Sequence, residues 1–315
     1  MNTRWVVCGA LSLRGVARWY VLLLGVCTGW GTIPLILREI GLTPPAIAFA
    51  RVFIAALGLG ALLAWRRAPS QFPRPYSVMP WRCVANGLLL AAHWLTMFMA
   101  FDSAPAGTVI LIIFLAPVGV AAIAPALLGE HLTPPIVVAV ALGLLGVGLI
   151  AGPALGEADP VGLAMAGVSM TLLVALNLAS KPLVAVYGGL RLAFMETAGA
   201  AIALMPVALV VERGPVAPAL GWLLLLGLAH TAVGVSLYLA AMRHLPVTHV
   251  SILSYLEPLA VVVLAWLVLA EQPTGVTVAG GSLVIGAGLL VISAGRAGAA
   301  PPEPIPPQEV TSVPG

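Results

Sequence analysis

The chain has 315 residues, of which 61% are hydrophobic and only 8% are charged, and its mean hydropathy is +1.10. Soluble domains carry about 25% charged residues, so this composition excludes a soluble globular protein and indicates a polytopic protein whose main partner is the lipid bilayer. The net charge of +3 is small, and it gives no reason to expect nucleic-acid binding.

Proline, glycine and charge clusters divide the chain into ten apolar segments that we predict to cross the bilayer as helices. The predicted segments are residues 19-37, 45-65, 82-101, 105-128, 135-151, 160-180, 190-211, 218-241, 246-269 and 275-294. We also predict an N-terminal cytoplasmic segment at 1-18, a connecting loop at 152-159 and a disordered, Pro-rich cytoplasmic tail at 295-315. The predicted fold class is an all-α integral membrane protein with ten transmembrane helices.

The same markers recur in both halves of the chain at a constant displacement of 141 residues. They are Pro105, Pro117 and Glu130 in the first half, and Pro246, Pro258 and Glu271 in the second. Because a five-helix repeat contains an odd number of spans, its second copy must enter the membrane from the opposite side. We therefore predict two inverted-topology five-helix repeats, at residues 19-151 and 160-294.

The basic residues are unevenly distributed between the two predicted sides of the membrane. Eleven lie on the side of the chain termini, namely Arg4, Arg14, Arg18, Arg66, Arg67, Arg74, Arg82, Lys181, Arg191, Arg243 and Arg296. Only Arg38 and Arg213 lie on the opposite side. The positive-inside rule then places both termini in the cytoplasm. The sequence has no Asn-x-Ser/Thr sequon, which favours a bacterial plasma membrane.

A carboxylate, Glu257, lies midway along the apolar stretch 246-271. A charge at the bilayer centre costs about 2.5 to 3.5 kcal/mol on insertion scales, so this acid needs a protonated state, a partner or a water-filled cavity. It would bind a substrate amino group or a coupling proton, or it would be a structural acid bonded to a neighbouring helix. Pro258 should free the carbonyl of Ser254, so we predict a kink that serves as a gate there and at Pro117.

Seven further intramembrane residues are candidates for substrate binding or coupling. They are Trp30, Arg51, His93, Trp94, Asn177, Glu196 and Tyr238. Arg51 and Glu196 occupy equivalent positions in the two halves and could face each other, or each could be an interfacial charge or part of a fixed ion pair. His93 could relay protons, or it could be a neutral histidine bonded between helices. The aromatic residues could line a cavity and stack on a cationic ligand.

Motifs for other function classes are missing from the sequence. There is no GxxxxGK[ST], HExxH or GxSxG motif, and no histidine pair has metal-ligand spacing on one helix. The cysteines, Cys8, Cys27 and Cys83, form no CxxC pair and are interpreted as packing residues. We therefore predict no catalytic residue, no metal and no cofactor. An intramembrane enzyme lacks its catalytic pair, and a sensor lacks a loop long enough for an output domain.

Short motifs at characteristic spacings point to a family. They are WGTIPLI from Trp30, ARV around Arg51, LAP followed by LLGE ending at Glu130, and LEP followed by VLAE ending at Glu271. Over residues 19-294 the chain thus resembles the drug/metabolite transporter superfamily, in particular its ten-helix members with two EamA-type repeats. The resemblance implies alternating access and export of small metabolites, amino acids or drugs, and its pattern looks closest to exporters of the threonine/homoserine type.

The leading hypothesis from the sequence is a secondary exporter of small metabolites such as amino acids, driven by proton exchange. The alternative keeps the fold but exports lipophilic cations, as a multidrug efflux protein does.

Overall fold

The computed structural model describes residues 13-66, 80-152, 155-156, 159-210, 214, 216-270 and 272-298. Within this part, ten helices are long and apolar enough to cross a membrane. These spans, numbered 1 to 10, are Gly15–Arg38, Pro44–Trp65, Trp81–Ser103, Ala106–Leu128, Pro134–Ala151, Pro160–Tyr187, Gly189–Val210, Val216–His244, Val247–Val268 and Gly275–Arg296. The ten predicted segments are confirmed. Glu271, Arg213 and Cys8 lie outside the described residues.

Two predicted boundaries shift because helices continue past them. The first helix begins at Leu13, so the end of the predicted N-terminal segment is helical. The last helix runs Gly275–Gly298, so residues 295-298 of the predicted disordered tail are helical too. The rest of both segments lies outside the part of the chain that the structure describes.

Several spans consist of more than one helix. The helices are α1 Leu13–Trp30, α2 Ile33–Arg38, α3 Pro44–Trp65, α4 Pro80–Ser103, α5 Ala106–Ile113, α6 Ala116–Leu128, α7 Pro134–Ala151, α8 Pro160–Tyr187, α9 Gly189–Val210, α10 Val216–Leu224, α11 Gly234–His244, α12 Val247–Leu253, α13 Leu256–Leu269 and α14 Gly275–Gly298, with a π-helix at Leu225–Val233 between α10 and α11. Spans 1, 4 and 9 are interrupted, and in each the helix after the break has a proline in its first turn. Proline lacks an N–H and fits a first turn, where that donor would have no helical partner.

The break in span 9 differs in one detail from the prediction. The span is interrupted just before Pro258, and its equivalent in span 4 is interrupted just before Pro117. The carbonyl of Ser254 is not free, however, because it accepts a hydrogen bond from the backbone N–H of Glu257 at 2.9 Å. That expectation was wrong. Pro258 has no N–H to bond the Ser254 carbonyl four residues before it, but the N–H of Glu257, three residues after Ser254, bonds that carbonyl instead.

Contacts between spans recur in related pairs. Span 2 packs against span 7 and span 5 packs against span 10. Span 3 packs against spans 6 and 7, and span 8 packs against spans 1 and 2. Exchanging each span with the one five places away reproduces this pattern, as expected for two structurally related halves. The inverted relation between them stays a prediction.

Glycine allows close approaches between these spans. A Cβ atom added at Gly146 in span 5 would lie 2.6 Å from the carbonyl oxygen of Gly280 in span 10. Small residues let helix backbones come together in this way in membranes, where packing drives helix association. We call the end of the bundle where span 1 begins and span 10 ends the termini side.

Candidate functional site

Trp30, at the end of α1, joins three spans in the interior. Its indole Nε1 donates a hydrogen bond to the carbonyl oxygen of His230 at 2.9 Å, and its ring packs on that of Tyr238 with centroids 5.3 Å apart. The hydroxyl of Tyr238 donates to Oδ1 of Asn177 at 2.8 Å. The amide nitrogen of Asn177 is held by the carbonyl of Leu173 at 2.9 Å. Spans 1, 6 and 8 therefore meet at an aromatic and amide cluster.

The π-helix in span 8 presents two polar side chains to this cluster. Thr231 donates its hydroxyl hydrogen to the carbonyl of Leu226 at 2.8 Å, five residues earlier. His230 lies 2.7 Å from the hydroxyl of Thr32 through its Nε2 atom. Short π-helical stretches occur frequently at functional sites. Their hydrogen bonds span five residues where an α-helix spans four, and this wider turn redirects side chains. The π-helix was not predicted, since no periodicity in an apolar stretch distinguishes it from an α-helix.

Arg51 lies on α3 beside the π-helix and is almost fully buried, with 9% of its surface exposed. Its Nε donates to the hydroxyl of Thr231 at 3.1 Å, and its guanidinium carbon lies 4.2 Å from the ring centroid of Trp94. The two terminal guanidinium nitrogens have no hydrogen-bond partner within the described residues. The guanidinium is thus held in orientation through its Nε atom, and its two terminal nitrogens are donors of the kind that bind a carboxylate in a bidentate manner.

Glu257 occupies the first turn of α13, where the helix dipole favours a negative charge. Its side chain is partly exposed, and across the described ranges its carboxylate receives no hydrogen bond. It interacts electrostatically with Cys27, Arg51 and Tyr238, which are groups of the bundle interior. Glu257 and Arg51 therefore bring opposite charges to the same interior region.

Glu196 belongs to a different hydrogen-bond network. Its Oε1 accepts bonds from the amide nitrogen of Asn86 at 2.6 Å and from the hydroxyl of Ser180 at 3.0 Å. The same amide nitrogen also donates to the Ser180 hydroxyl at 2.8 Å. These three residues join α4, α8 and α9, and each is at most 3% exposed. No described contact joins Glu196 to Arg51, so the structure does not bring the two equivalent charges face to face.

His93 lies at the contact between spans 3 and 6. Its Nδ1 is 2.9 Å from the hydroxyl of Ser169, and that hydroxyl also lies 3.1 Å from the His93 carbonyl oxygen. Only 6% of the His93 surface is exposed. This is the geometry of a histidine bonded between helices, one of its two predicted roles.

The predicted site residues therefore separate into groups. The interior cluster contains Trp30, Arg51, Trp94, Asn177, Tyr238 and Glu257. Glu196 and His93 lie in separate helix contacts. Two grooves on the outer surface, of about 680 and 580 Å³, contain none of these residues and are lined mainly by aliphatic side chains of spans 4, 5 and 10.

Sequence reasoning did not select Thr32, Asn86 and Ser180 as site residues. Small polar residues are common in membrane helices, and their partners are 198, 110 and 16 residues away in the chain. No local signal in the sequence distinguishes a hydroxyl or amide that bonds a side chain of another helix from one that bonds the backbone of its own helix.

Glu130 caps the start of span 9 on the termini side. Its two carboxylate oxygens accept hydrogen bonds from the backbone N–H groups of Val247 and Thr248, at 2.6 and 3.1 Å, and from the Thr248 hydroxyl at 2.8 Å. A carboxylate at a helix N-terminus satisfies donors that have no partner within the helix.

Comparisons with known proteins agree with this architecture. The model of the EamA-like transporter family matches residues 17–152 and again residues 160–294. A curated relative from Streptantibioticus cattleyicolor, named a probable terminal-alkyne amino-acid exporter, is 30% identical over 216 residues, which cover 67% of this chain and 71% of the relative. One solved crystal structure, 20% identical, superposes with a TM-score of 0.77 over 91% of this chain and 99% of the other, which shows the shared fold.

Proposed function

The chain belongs to the EamA-like transporter family, and we propose that it is a secondary active exporter of amino acids or closely related small metabolites. Transport would proceed by alternating access and be driven by proton exchange. Membership of the family makes the chain a multi-pass membrane transporter. The name of the curated relative, a probable terminal-alkyne amino-acid exporter, supports the narrower choice of amino acids.

The observation that carries this proposal is the pair of opposite charges in the interior cluster. The terminal nitrogens of Arg51 would bind the carboxylate of a zwitterion in a bidentate manner, which a planar guanidinium does well. Glu257 would bind the ammonium group, as a carboxylate without a hydrogen-bond partner in the described structure can. An α-amino acid carries both groups on one carbon and so fits a site with both charges.

The aromatic residues of the cluster would take the substrate side chain. Trp30 and Tyr238 form a tilted ring pair, and Trp94 lies beneath the Arg51 guanidinium. Such surfaces bind apolar or unsaturated groups without a demand for hydrogen bonds. A small apolar side chain, including a terminal alkyne, is therefore preferred over a charged one.

Export of lipophilic cations is the second candidate. Aromatic rings in the same interior cluster as a carboxylate favour it, because they combine cation–π attraction with a counter-charge. Arg51 opposes it, since a buried guanidinium repels a cation. The amino-acid proposal is therefore the leading one.

Orientation is part of the proposal. The excess of basic residues on the termini side supports cytoplasmic termini and a location in a bacterial plasma membrane. Reporter fusions after Trp65 and after Ala151, at opposite ends of the bundle, would report opposite compartments.

Counterflow in proteoliposomes tests the substrate class. The purified protein is loaded with unlabelled leucine or propargylglycine, and uptake of the labelled amino acid is compared with uptake of its decarboxylated amine and its deaminated acid. Wild type should exchange the amino acid and neither analogue. Arg51→Gln should lose the preference for substrates with a carboxylate, and Glu257→Gln should lose the preference for those with an ammonium group.

Matched controls replace the same residue types where they are exposed. Arg66→Gln at the end of span 2 and Glu39→Gln after α2 should exchange the amino acid like wild type. If wild type exchanges a lipophilic cation and no amino acid, the second candidate is right. If both charge variants exchange the amino acid with unchanged selectivity, the assigned roles of Arg51 and Glu257 are wrong.

A further inference from the structure

We propose that Glu196, Asn86 and Ser180 form a proton-binding site separate from the substrate site, through which proton movement is coupled to transport. The inference rests on the proposed exporter function. It assigns the coupling proton to Glu196 and leaves Glu257 to bind the substrate amine.

The first argument is the lack of a compensating charge around Glu196. The carboxylate is 3% exposed, and within the described part of the chain it accepts hydrogen bonds only from the neutral groups of Asn86 and Ser180. Among the described residues, Cys83 on α4 and Tyr238 on α11 interact electrostatically with it, and neither can supply a positive charge. Glu257, by contrast, has the Arg51 guanidinium as an electrostatic partner. A buried carboxylate without a cation takes a proton in place of one.

The second argument is an unsatisfied acceptor at the same place. Asn86 is 2% exposed, and its Oδ1 atom is buried without a hydrogen-bond partner. The amide nitrogen faces Glu196, as suits an ionised carboxylate. When Glu196 is protonated, rotation of the amide by half a turn would aim Oδ1 at the carboxyl O–H and let it accept that hydrogen. Each protonation state therefore has its own amide orientation.

The arrangement suits a proton better than a metal cation. A hard cation takes about six oxygen ligands. Here the Asn86 amide and the Ser180 hydroxyl both direct hydrogens toward Glu196, and only the Oδ1 atom of Asn86 is left as a buried unpartnered oxygen in this group.

The position of the three residues connects protonation to both halves of the chain. Asn86 belongs to the first half, while Ser180 and Glu196 belong to the second, and all lie within about two to three helical turns of the termini side. The helices are in close contact there, because a Cβ atom added at Gly87 would collide with the backbone carbonyl of Glu196. A change in these hydrogen bonds must therefore alter the contact between α4 and α9.

Tyr238 interacts electrostatically with both Glu196 and Glu257, and its hydroxyl donates a hydrogen bond to Asn177 in the interior cluster. A change of charge at Glu196 would therefore be felt by a residue whose ring packs on Trp30.

Transport assays separate the proton site from the substrate site. In proteoliposomes, Glu196→Gln should keep amino-acid counterflow at equal pH but lose both acceleration by a pH gradient and the accompanying proton flux. Glu257→Gln should instead lose the preference for substrates with an ammonium group. If Glu196→Gln retains the response of wild type to a pH gradient, the proposal is overturned. Failure of wild type to exchange any amino acid would instead reject the proposed function. Infrared detection of the proton at Glu196 does not depend on that function.

Infrared difference spectroscopy of the purified protein reads the proton directly. A carboxyl C=O band that disappears as the pH rises should be present in wild type and in Glu39→Gln and absent in Glu196→Gln. Ser180→Ala keeps the acid and should change the pH at which the band titrates, so it tests the site if Glu196→Gln fails to fold. A band unchanged in both variants, or one that responds to sodium at constant pH, overturns the proposal.

Discussion

The contact of Glu130 with the start of span 9 gives a prediction whose size follows from its geometry. The carboxylate accepts three hydrogen bonds, two from backbone N–H groups and one from the hydroxyl of Thr248, and it joins the end of span 4 to span 9. We predict that Glu130→Gln lowers the free energy of unfolding and the thermal unfolding temperature.

The magnitude follows from the change in acceptors. A hydrogen bond to a charged group contributes about 1.5 to 3 kcal/mol and a neutral one about 0.5 to 1.5 kcal/mol. Glutamine offers a single acceptor oxygen, so one donor loses its partner and the remaining bonds become neutral. Three charged bonds are replaced by two neutral ones, so the expected loss is about 4 kcal/mol. For a chain of this size that corresponds to a fall of about 8 °C in unfolding temperature.

The two buried free cysteines provide the assay. Cys27 and Cys83 are buried, and a thiol-reactive fluorescent dye reports their exposure when the protein unfolds in detergent. Cys8→Ser in every sample removes the third thiol. Because such unfolding is commonly irreversible, all variants are compared at one scan rate.

Thr248→Val is the matched partner for Glu130→Gln. It removes the hydroxyl bond at 2.8 Å and leaves both backbone donors in place. The two substitutions should be coupled, so that the double variant loses less stability than the sum of the single ones. If Glu130→Gln unfolds within about 1 °C of wild type, or if the two effects simply add, the capping role is refuted.

Three other substitutions have expected outcomes. Gly146→Ala should lower the unfolding temperature by a cost of about 1 to 3 kcal/mol, because its Cβ would meet a span 10 carbonyl at 2.6 Å, whereas Gly167→Ala, with nothing within 4 Å, should not. Tyr238→Phe should cost about 1 to 2 kcal/mol in thermal unfolding and slow counterflow, because Asn177 loses its donor. Arg51→Lys should raise the substrate concentration for half-maximal counterflow by about tenfold, since lysine keeps the charge without the bidentate face. Unchanged values in these assays would contradict the assigned contacts.

Composition and local pattern determined the main features of this protein. Ten apolar segments and the family motifs could be predicted because each depends on short stretches of sequence. Hydrocarbon is the same solvent for every span, so length and hydropathy suffice to find helices. Proline positions also predicted the interruptions in spans 4 and 9, since proline removes a backbone donor wherever it lies.

Tertiary structure decided which polar residues meet. Arg51 and Glu196 are equivalent in the sequence, yet one contacts Thr231 and Trp94 and the other contacts Asn86 and Ser180. The π-helix, which turns Thr231 toward Arg51, has no signature in an apolar run. A sequence alone therefore showed that this protein spans the membrane and carries intramembrane charges. Only the packing of distant helices assigned partners to those charges, because such a partner depends on side-chain direction and helix rotation, which hydropathy does not encode.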